Sequence, residues 1–510
     1  MTTPSELPAT EEAAPLEGRL HPWSWLFALI AQLQSFAVPL IALLVFGGRS
    51  NGDERWQFIG MLAGLVIVVV SVVQYFTYRY GVVGDDLVIR EGILHRNRRN
   101  IPMQRIRNVS LQQNLLHRLF GVAEVRLESA GGHGAEAKMR VLSLAAANQL
   151  ESLIESHHGT ETGGNEKSDD GETATPPLLQ LGAGELTRLG LVSNRGMVVV
   201  GATAAAFWQL VPDDADNWIG DGAKSLFGQA LAAHLGWLGW TLAIIALVLA
   251  AMVALRMLSI ALAFVQYHGF ALRSERGRLS VERGLLNRVR ANAPPKRIQF
   301  WNRRESLLQR WLGRQSLQVE TAVGMQEDGA SSAITQLAPI APPAVVDDLL
   351  GRLLPAHALD GLDWRPIHPR AWRRMVKWPL WLLLAASATL TWLIGWSGLL
   401  PLLLAPWLVW SKRRLAASRG WALNDHLISW RSGWLGWQQS FAEVNKLQGV
   451  QLLQSPFDRR HGMARLLVDT AGAHPLSGNL RIDMSYLPEA DARELYRRLA
   501  QRIASTPLAW

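Results

Sequence analysis

The sequence predicts an α+β membrane protein in which three small β-barrel or sandwich domains, each closed by a C-terminal helix, each follow a pair of transmembrane helices. Three observations carry this prediction. One block of about forty residues recurs three times without a gap, as copies of a domain do. Long apolar runs precede every copy. The composition is that of a membrane protein, with 18% charged residues and a mean hydropathy of +0.08. A chain of 510 residues also exceeds what one core usually organises.

Taken in order, residues 1–22 form a tail. Glu6, Glu11, Glu12 and Glu17 stand against Arg19 alone, which is not the basic start of a cleaved signal peptide, so the first apolar run is expected to stay as an anchor. Runs at 23–46 and 56–75 make a first helix pair within 23–78. A second pair, at 196–211 and 235–255, lies with an amphipathic lead-in in 178–265. A third, at 378–394 and 399–410, lies with its lead-in in 357–411. The longer runs have the ~20 residues needed to cross hydrocarbon, and the shorter ones complete pairs. Only Gly395-Trp396-Ser397-Gly398 separates the last two runs, which fits either a tight helical hairpin or a re-entrant loop.

The charges orient these pairs. Arg79, Arg256, Lys412, Arg413 and Arg414 follow the pairs, and Arg365, Arg370, Arg373, Arg374 and Lys377 precede the last. The loop 212–222 carries four aspartates and no lysine or arginine. The positive-inside rule therefore places both termini and all three repeats in the cytoplasm, as expected of a multi-pass protein of the cell inner membrane. Tryptophans near the span ends suit the headgroup region. Gln32, Gln34 and Ser35 in the first run, and Gly60 and Gly64 in the second, read as helix-packing positions.

The domains occupy 79–156, 266–356 and 412–510, with a flexible acidic linker at 157–177. Superposing Gly92, Gly284 and Gly433 aligns Arg105, Arg297 and Lys446, then Arg118, Arg310 and Arg459, then Gly121, Gly313 and Gly462. Glu128, Glu320 and Asp469 follow, each before a hydroxyl residue and alanine. Alternating apolar positions on either side of the first glycine predict a β-hairpin. Further strands are expected at 105–111, 297–301 and 446–453, and at 122–129, 316–321 and 464–470. A helix ends each copy, at 144–154, 344–354 and 489–503, the last with apolar positions at three- and four-residue spacing. Copy three departs most, with Glu443 in place of Pro102 and Pro294, and Pro456 in place of Leu115 and Leu307.

These features resemble the bacterial pleckstrin-homology (PH) domain membrane proteins of the YdbS/YdbT-like type. Two local signatures add to the likeness. An H-P-x-[AS]-W pattern precedes a span at His21-Pro22 and again at His368-Pro369, and the segment 189–196 is similar to the family's approach to its second helix pair. The resemblance implies PH-like domains after paired helices, a smaller single-PH-domain membrane protein of the same family as partner, and a role in envelope stress or resistance to membrane-active agents. It implies no catalytic residues.

Candidate binding residues are basic. Arg96, Arg98, Arg99 and Arg105 in copy one, and Arg288, Arg290 and Arg297 in copy two, are placed to meet anionic lipid headgroups or a peptide; the alternative is a solvated face that follows the positive-inside bias. Arg118, Arg310 and Arg459, with Glu128, Glu320 and Asp469, are either a ligand pair or, as a charge repeated in every module more often is, a structural ion pair or turn anchor. Gly92, Gly284 and Gly433 serve turns needing positive φ. No catalytic motif, cofactor fingerprint or metal-ligand spacing occurs, cysteine is absent, and nothing resembles a nucleic-acid-binding motif. The expectation is a non-enzymatic docking, scaffold or sensing protein that contacts membrane lipids, without cofactor, metal or nucleic acid, and able to form a homo-oligomer. The alternative is a transporter or lipid- or peptide-handling channel with the domains as its vestibule, for which Arg256 is the one candidate intramembrane charge outside the polar positions of the first span.

Overall fold

The computed structural model describes residues 16–19, single positions of the first two apolar runs between 24 and 77, and then 78–91, 97–129, 137–159, 176–210, 236–275, 277–321, 334–355, 358–359, 361–470 and 481–505. The pairing of the first two runs, and with it Gln32, Gln34, Ser35, Gly60 and Gly64, lies outside the described residues.

Each repeat folds as two antiparallel sheets and a closing helix. In the first, β1 (Leu16–Arg19), β2 (Arg79–Val83), β3 (Asp86–Glu91) and β4 (Asn97–Pro102) form one sheet. Then come β5 (Ile106–Asn114), a short helix α1 (Leu115–Leu119), β6 (Val122–Ser129), β7 (Ala137–Ser143) and the closing α2 (Leu144–Gly159). The second repeat begins with β8 (Leu179–Gln180) and the helices α3 (Ala183–Val192), α4 (Arg195–Leu210) and α5 (Trp237–Tyr267). Its strands are β9 (Ala271–Glu275), β10 (Arg278–Arg283), β11 (Asn287–Ala293) and β12 (Ile298–Glu305). After α6 (Leu307–Trp311) it ends in β13 (Gln315–Thr321), β14 (Gln336–Ala341) and α7 (Pro343–Leu353). The third has β15 (Arg365–Pro366), then α8 (Ala371–Ile394), a 3-10 stretch (Gly395–Leu404) and α9 (Ala405–Ser418). It continues with β16 (Gly420–Leu423), β17 (Leu427–Ser432), β18 (Trp437–Glu443), β19 (Leu447–Leu453), α10 (Pro456–Arg460), β20 (Met463–Thr470), β21 (Arg481–Pro488) and α11 (Glu489–Ser505).

Alternation makes these strands. Along β20 the apolar Leu466 and Val468 are buried while Arg465 is exposed, the period-2 pattern of a half-buried strand. Helix α11 buries Ala492, Leu495 and Leu499 and leaves Arg493, Arg497 and Arg498 outside, the 3.6-residue pattern of a helix lying on a barrel.

The repeats do not fold as separate beads. Strand β5 of repeat one pairs with β11 of repeat two, and β12 of repeat two pairs with β18 of repeat three, so two seven-stranded sheets run across the boundaries. At the second boundary the cores follow the sheet. Leu427 and Phe441 of repeat three lie in the core of repeat two, and Phe300 of repeat two lies in that of repeat three.

Among the described residues, two helical segments could cross a membrane by length and composition, Trp237–Tyr267 and Ala371–Ser418; a third exists if α3 and the first turns of α4, bent by 55°, act as one. Ala371–Ser418 is not straight. The chain reverses at Gly395, and the 3-10 stretch and α9 pack back along α8 as a hairpin. At ~1.5 Å per residue the 31 residues of α5 exceed a hydrocarbon core of about 30 Å. Its last turns are used otherwise: Ser259, Ala263 and Tyr267 are buried against the second repeat and its lead-in helix.

Candidate functional site

Two features distinguish the described surface: the joints between repeats, and a rim where the repeats meet the ends of the apolar helices.

At each joint the repeat-equivalent arginine reaches the next repeat's hairpin. Arg118 Nη1 donates to the carbonyl of Leu285 and Arg310 Nη1 to that of Trp434, both at 3.2 Å. Leu285 and Trp434 are the residues just after the aligned glycines Gly284 and Gly433. Lys446 adds a bond of 2.8 Å from Nζ to the carbonyl of Ile298 in the preceding repeat. The interior of the first joint holds a buried hydrogen bond from Asn292 Nδ2 to Glu151 Oε1, 2.6 Å. In the second, the rings of Trp301 and Phe441 stack in register, 6.3 Å apart and 7° from parallel. Charge-assisted bonds at both joints, and a shared apolar core at the second, tie the repeats together.

The rim is built by the short helices and the hairpin tips. Each short helix starts with a capping box, at Asn114, Ser306 and Ser455, which satisfies its first N–H groups and fixes its start 22 residues after the aligned glycine in every copy, 114 being 22 past 92. In repeat one, Phe27 of the first apolar run stacks on His117 at 4.4 Å. In repeat two, Arg314 grips Glu185 of α3, with Nη2 to Oε1 at 2.8 Å, and the Leu285 N–H donates to the Val265 carbonyl of α5. In repeat three, Arg374 at the start of α8 lies 3.4 Å from Asp458 and over the Phe457 ring, while Trp410 of α9 meets Trp434 edge-on. The rim is apolar and open, with Leu119 77% and Trp311 84% exposed beside Leu115, Leu307 and Phe457.

The helices are tied to the second repeat through Tyr267. Arg195 Nη2 donates to its hydroxyl at 2.8 Å and also bonds Gln266, and the Tyr267 hydroxyl donates to Gln336 of β14. Where α3 ends, Arg256 Nη1 donates to the carbonyls of Leu191 and Ser193, at 3.1 and 3.2 Å, so this arginine closes the break between α3 and α4. Gly190 lets α3 lie against Ile260, since a Cβ there would come within 2.4 Å of its Cα. Before α8, His368 of the H-P motif donates its N–H to the Tyr486 carbonyl at 2.9 Å and ties the lead-in to β21.

The basic candidates do not form one patch. Gly92 and Arg96 lie outside the described residues. Arg98 and Arg99 sit on the exposed strand β4, and Arg98 bonds Asn100 at 3.3 Å. Arg105 is exposed after β4, and Arg297, half-buried, takes the matching place before β12. Arg288 and Arg290 stand on β11 at the first joint, where Arg288 pairs with Glu282 at 2.5 Å and Arg290 approaches Glu275 and Glu151 at 3.7 and 4.0 Å.

Nor does the repeated arginine meet the repeated acid in repeats two and three. Arg310 pairs with Glu305 at 2.7 Å, Asp469 with Arg481 at 3.4 Å, and Arg459 is exposed. Glu128 stands on β6 opposite Asn108. Glu320 is the unusual member: burial pushes its carboxyl up to about 7 against the pull of Arg304, and Oε2 has no hydrogen-bond partner. A carboxyl raised from 4.5 to about 7 favours the fold fully below pH 4.5, and that contribution is lost as pH rises through 7. Glu320→Gln is therefore expected to stabilise the protein at pH 8 by about 1–2 kcal/mol, after discounting for solvent screening, with little effect at pH 4.5. Thermal unfolding of both proteins at the two pH values checks this; an equal shift at both would remove titration as the cause.

Sequence reasoning missed Asn292, Glu151, Trp301, Phe441 and Tyr267, whose roles arise between segments far apart in the chain. The rim does leave a signal in the sequence, the Asn, Ser and Ser cap residues at one fixed distance from the aligned glycines.

Comparison with known proteins agrees with the three repeats. A family model described as "Bacterial PH domain" matches three stretches, residues 27–158, 230–352 and 377–503, which together make up most of the chain. The UPF0699 transmembrane protein YdbT of Bacillus subtilis (strain 168) is 21% identical over 458 residues, covering 87% of this chain and 90% of that protein. No solved structure matches.

Proposed function

The chain belongs to the bacterial PH domain family, and from that premise we propose that it is a multi-pass docking platform of the cytoplasmic membrane, with both termini and all three repeats on the inner face. The similar protein's description as transmembrane, the apolar helices and the distribution of cationic residues support this placement. The reading is carried by the joined sheets: three repeats fused edge to edge make one rigid body at the ends of the helices, suited to binding. The exposed leucines and Trp311 of the rim rest at the headgroup layer, where apolar side chains leave water at little cost. Arg98, Arg99 and Arg105 remain outside the joints and are the lipid or partner contacts of this reading. The partner it favours is a smaller single-PH-domain membrane protein, and the process it serves is the response to envelope stress.

Affinity capture of the full-length protein from its native membrane tests the reading, with co-purified proteins and lipids identified by mass spectrometry for the natural chain and for an Arg98→Glu/Arg99→Glu variant. A stoichiometric protein held by the natural chain and lost from the variant is the expected result. A lipid or small molecule retained equally by both, with no protein, would replace docking by transport.

A further inference from the structure

The two joints are one joint made twice. In the first, Asn114 lies 22 residues past Gly92 and its partner Asn287 lies 3 past Gly284; in the second, Glu305 lies 21 past Gly284 and its partner Trp437 lies 4 past Gly433. Both totals are 25, so the register is identical. Both joints also set arginine opposite glutamine, Arg288↔Gln113 in the first and Arg303↔Gln439 in the second, at different positions and with the two residues on exchanged strands.

Each joint consumes the last strand of one repeat's first sheet and the first strand of the preceding repeat's second sheet. Three repeats in a row therefore leave one of each at the ends. Strand β4, the counterpart of β11 and β18, closes the first sheet, and β19, the counterpart of β5 and β12, closes the last. Their exposure fits. Asn97–Asn100 are exposed on β4, and Leu453 on β19 is 43% exposed, whereas its equivalent Gln112 in the first joint is buried. The arginine that clamps the next repeat is left over too: among the described residues the Arg459 side chain makes no hydrogen bond or ion pair, while Arg118 and Arg310 hold Leu285 and Trp434.

We propose that β19 of one copy pairs antiparallel with β4 of a second copy of this chain, in the register of the internal joints, with Arg459 closing the contact as Arg118 and Arg310 close the internal ones. That register places Leu453 opposite Asn97, Leu452 opposite Arg98 and Gln451 opposite Arg99. Arginine faces leucine at the place of Arg290↔Leu111, and the Gln451–Arg99 pair can hydrogen-bond where the internal joints have Ser110↔Ala291 and Asn302↔Ser440. Continuity with the internal joints selects a second copy. The two edges have the strand direction and leftover arginine of a joint already made twice, and a strand edge is a template for pairing. The contact is head-to-tail, so it propagates until a ring closes. This inference rests on the docking reading and puts a second copy, in place of the smaller single-PH-domain protein, at the Arg98–Arg99 edge.

The absence of native cysteine makes the test direct. Leu453→Cys and Asn97→Cys are placed in separate full-length copies, co-expressed in the membrane and oxidised. Arg304→Cys/Gln438→Cys in one chain, the same position in the second internal joint, reports that the geometry allows a disulfide. A mixed disulfide between the two copies is expected, with neither variant cross-linking to itself. The detergent-solubilised natural protein should be an oligomer, and Arg459→Ala should raise the concentration needed for assembly by about tenfold at unchanged thermal stability. A disulfide formed only within a chain carrying both substitutions would show that the chain closes on itself and overturn the proposal. Cross-linking of Asn97→Cys or Leu453→Cys only to a different protein would overturn the second copy and leave docking standing. No cross-link to any protein, with the internal control positive, would overturn both the proposal and docking at these edges.

Discussion

Gly284→Ala and Gly433→Ala are each expected to destabilise the protein by about 3 kcal/mol or more, enough to separate a repeat from its predecessor. Both glycines turn the hairpin that feeds a joint strand, with φ of +113° and +105°. A Cβ at Gly284 would come within 1.9 Å of the Asn287 carbonyl oxygen, and one at Gly433 within 1.7 Å of that of Gly436. Backbone, not a movable side chain, is in the way, so the hairpin must open. Opening displaces the carbonyls of Leu285 and Trp434, the acceptors of Arg118 and Arg310. Thermal unfolding of each variant in detergent, with limited proteolysis between repeats, would show the loss; a change below about 1 kcal/mol would mean that the hairpin relaxes without strain.

Trp301→Ala should cost about 3–5 kcal/mol, as deletion of a large buried aromatic does. The side chain is 1% exposed and lies in the core of repeat two, yet its stacking partner Phe441 comes from repeat three. The expected signature is loss of coupling as well as stability: natural repeats two and three unfold in one transition, and the variant in two. Phe441→Ala should give the same split, because it empties the other half of the same contact. A single transition lowered in temperature for both variants would show that the remaining pairing of β12 with β18 suffices to couple the repeats.

Much of the fold was legible because each repeat records its structure locally. The glycine-centred hairpin, the strand alternation near Val468 and the helical spacing of Ala492, Leu495 and Leu499 are one-segment signals, and the threefold copy reinforces them. The joints were not legible. Pairing of Ala291 with Ser110 depends on which strand edge lies beside which, a tertiary fact that leaves no period in the sequence. Arg118 and Arg310 were visible as repeated charges, but their target is a backbone carbonyl, and every residue has one. The basic residues split for the same reason: Arg288 and Arg98 look alike in sequence, and only the first sits at a joint within the chain. The lead strands β8 and β15, two residues each, were too short to register as strands.

The shared cores also set an order of events during synthesis. Repeat two, though its strands are all made by residue 341, lacks Leu427 and Phe441 until a further hundred residues have left the ribosome. Those two lie beyond the hairpin of Ala371–Ser418, so the middle repeat waits, incomplete, while that hairpin finds its place. A nascent chain whose last hairpin is delayed therefore presents two unfinished repeats to the cell's proteases instead of one, and the third repeat's arrival certifies the second.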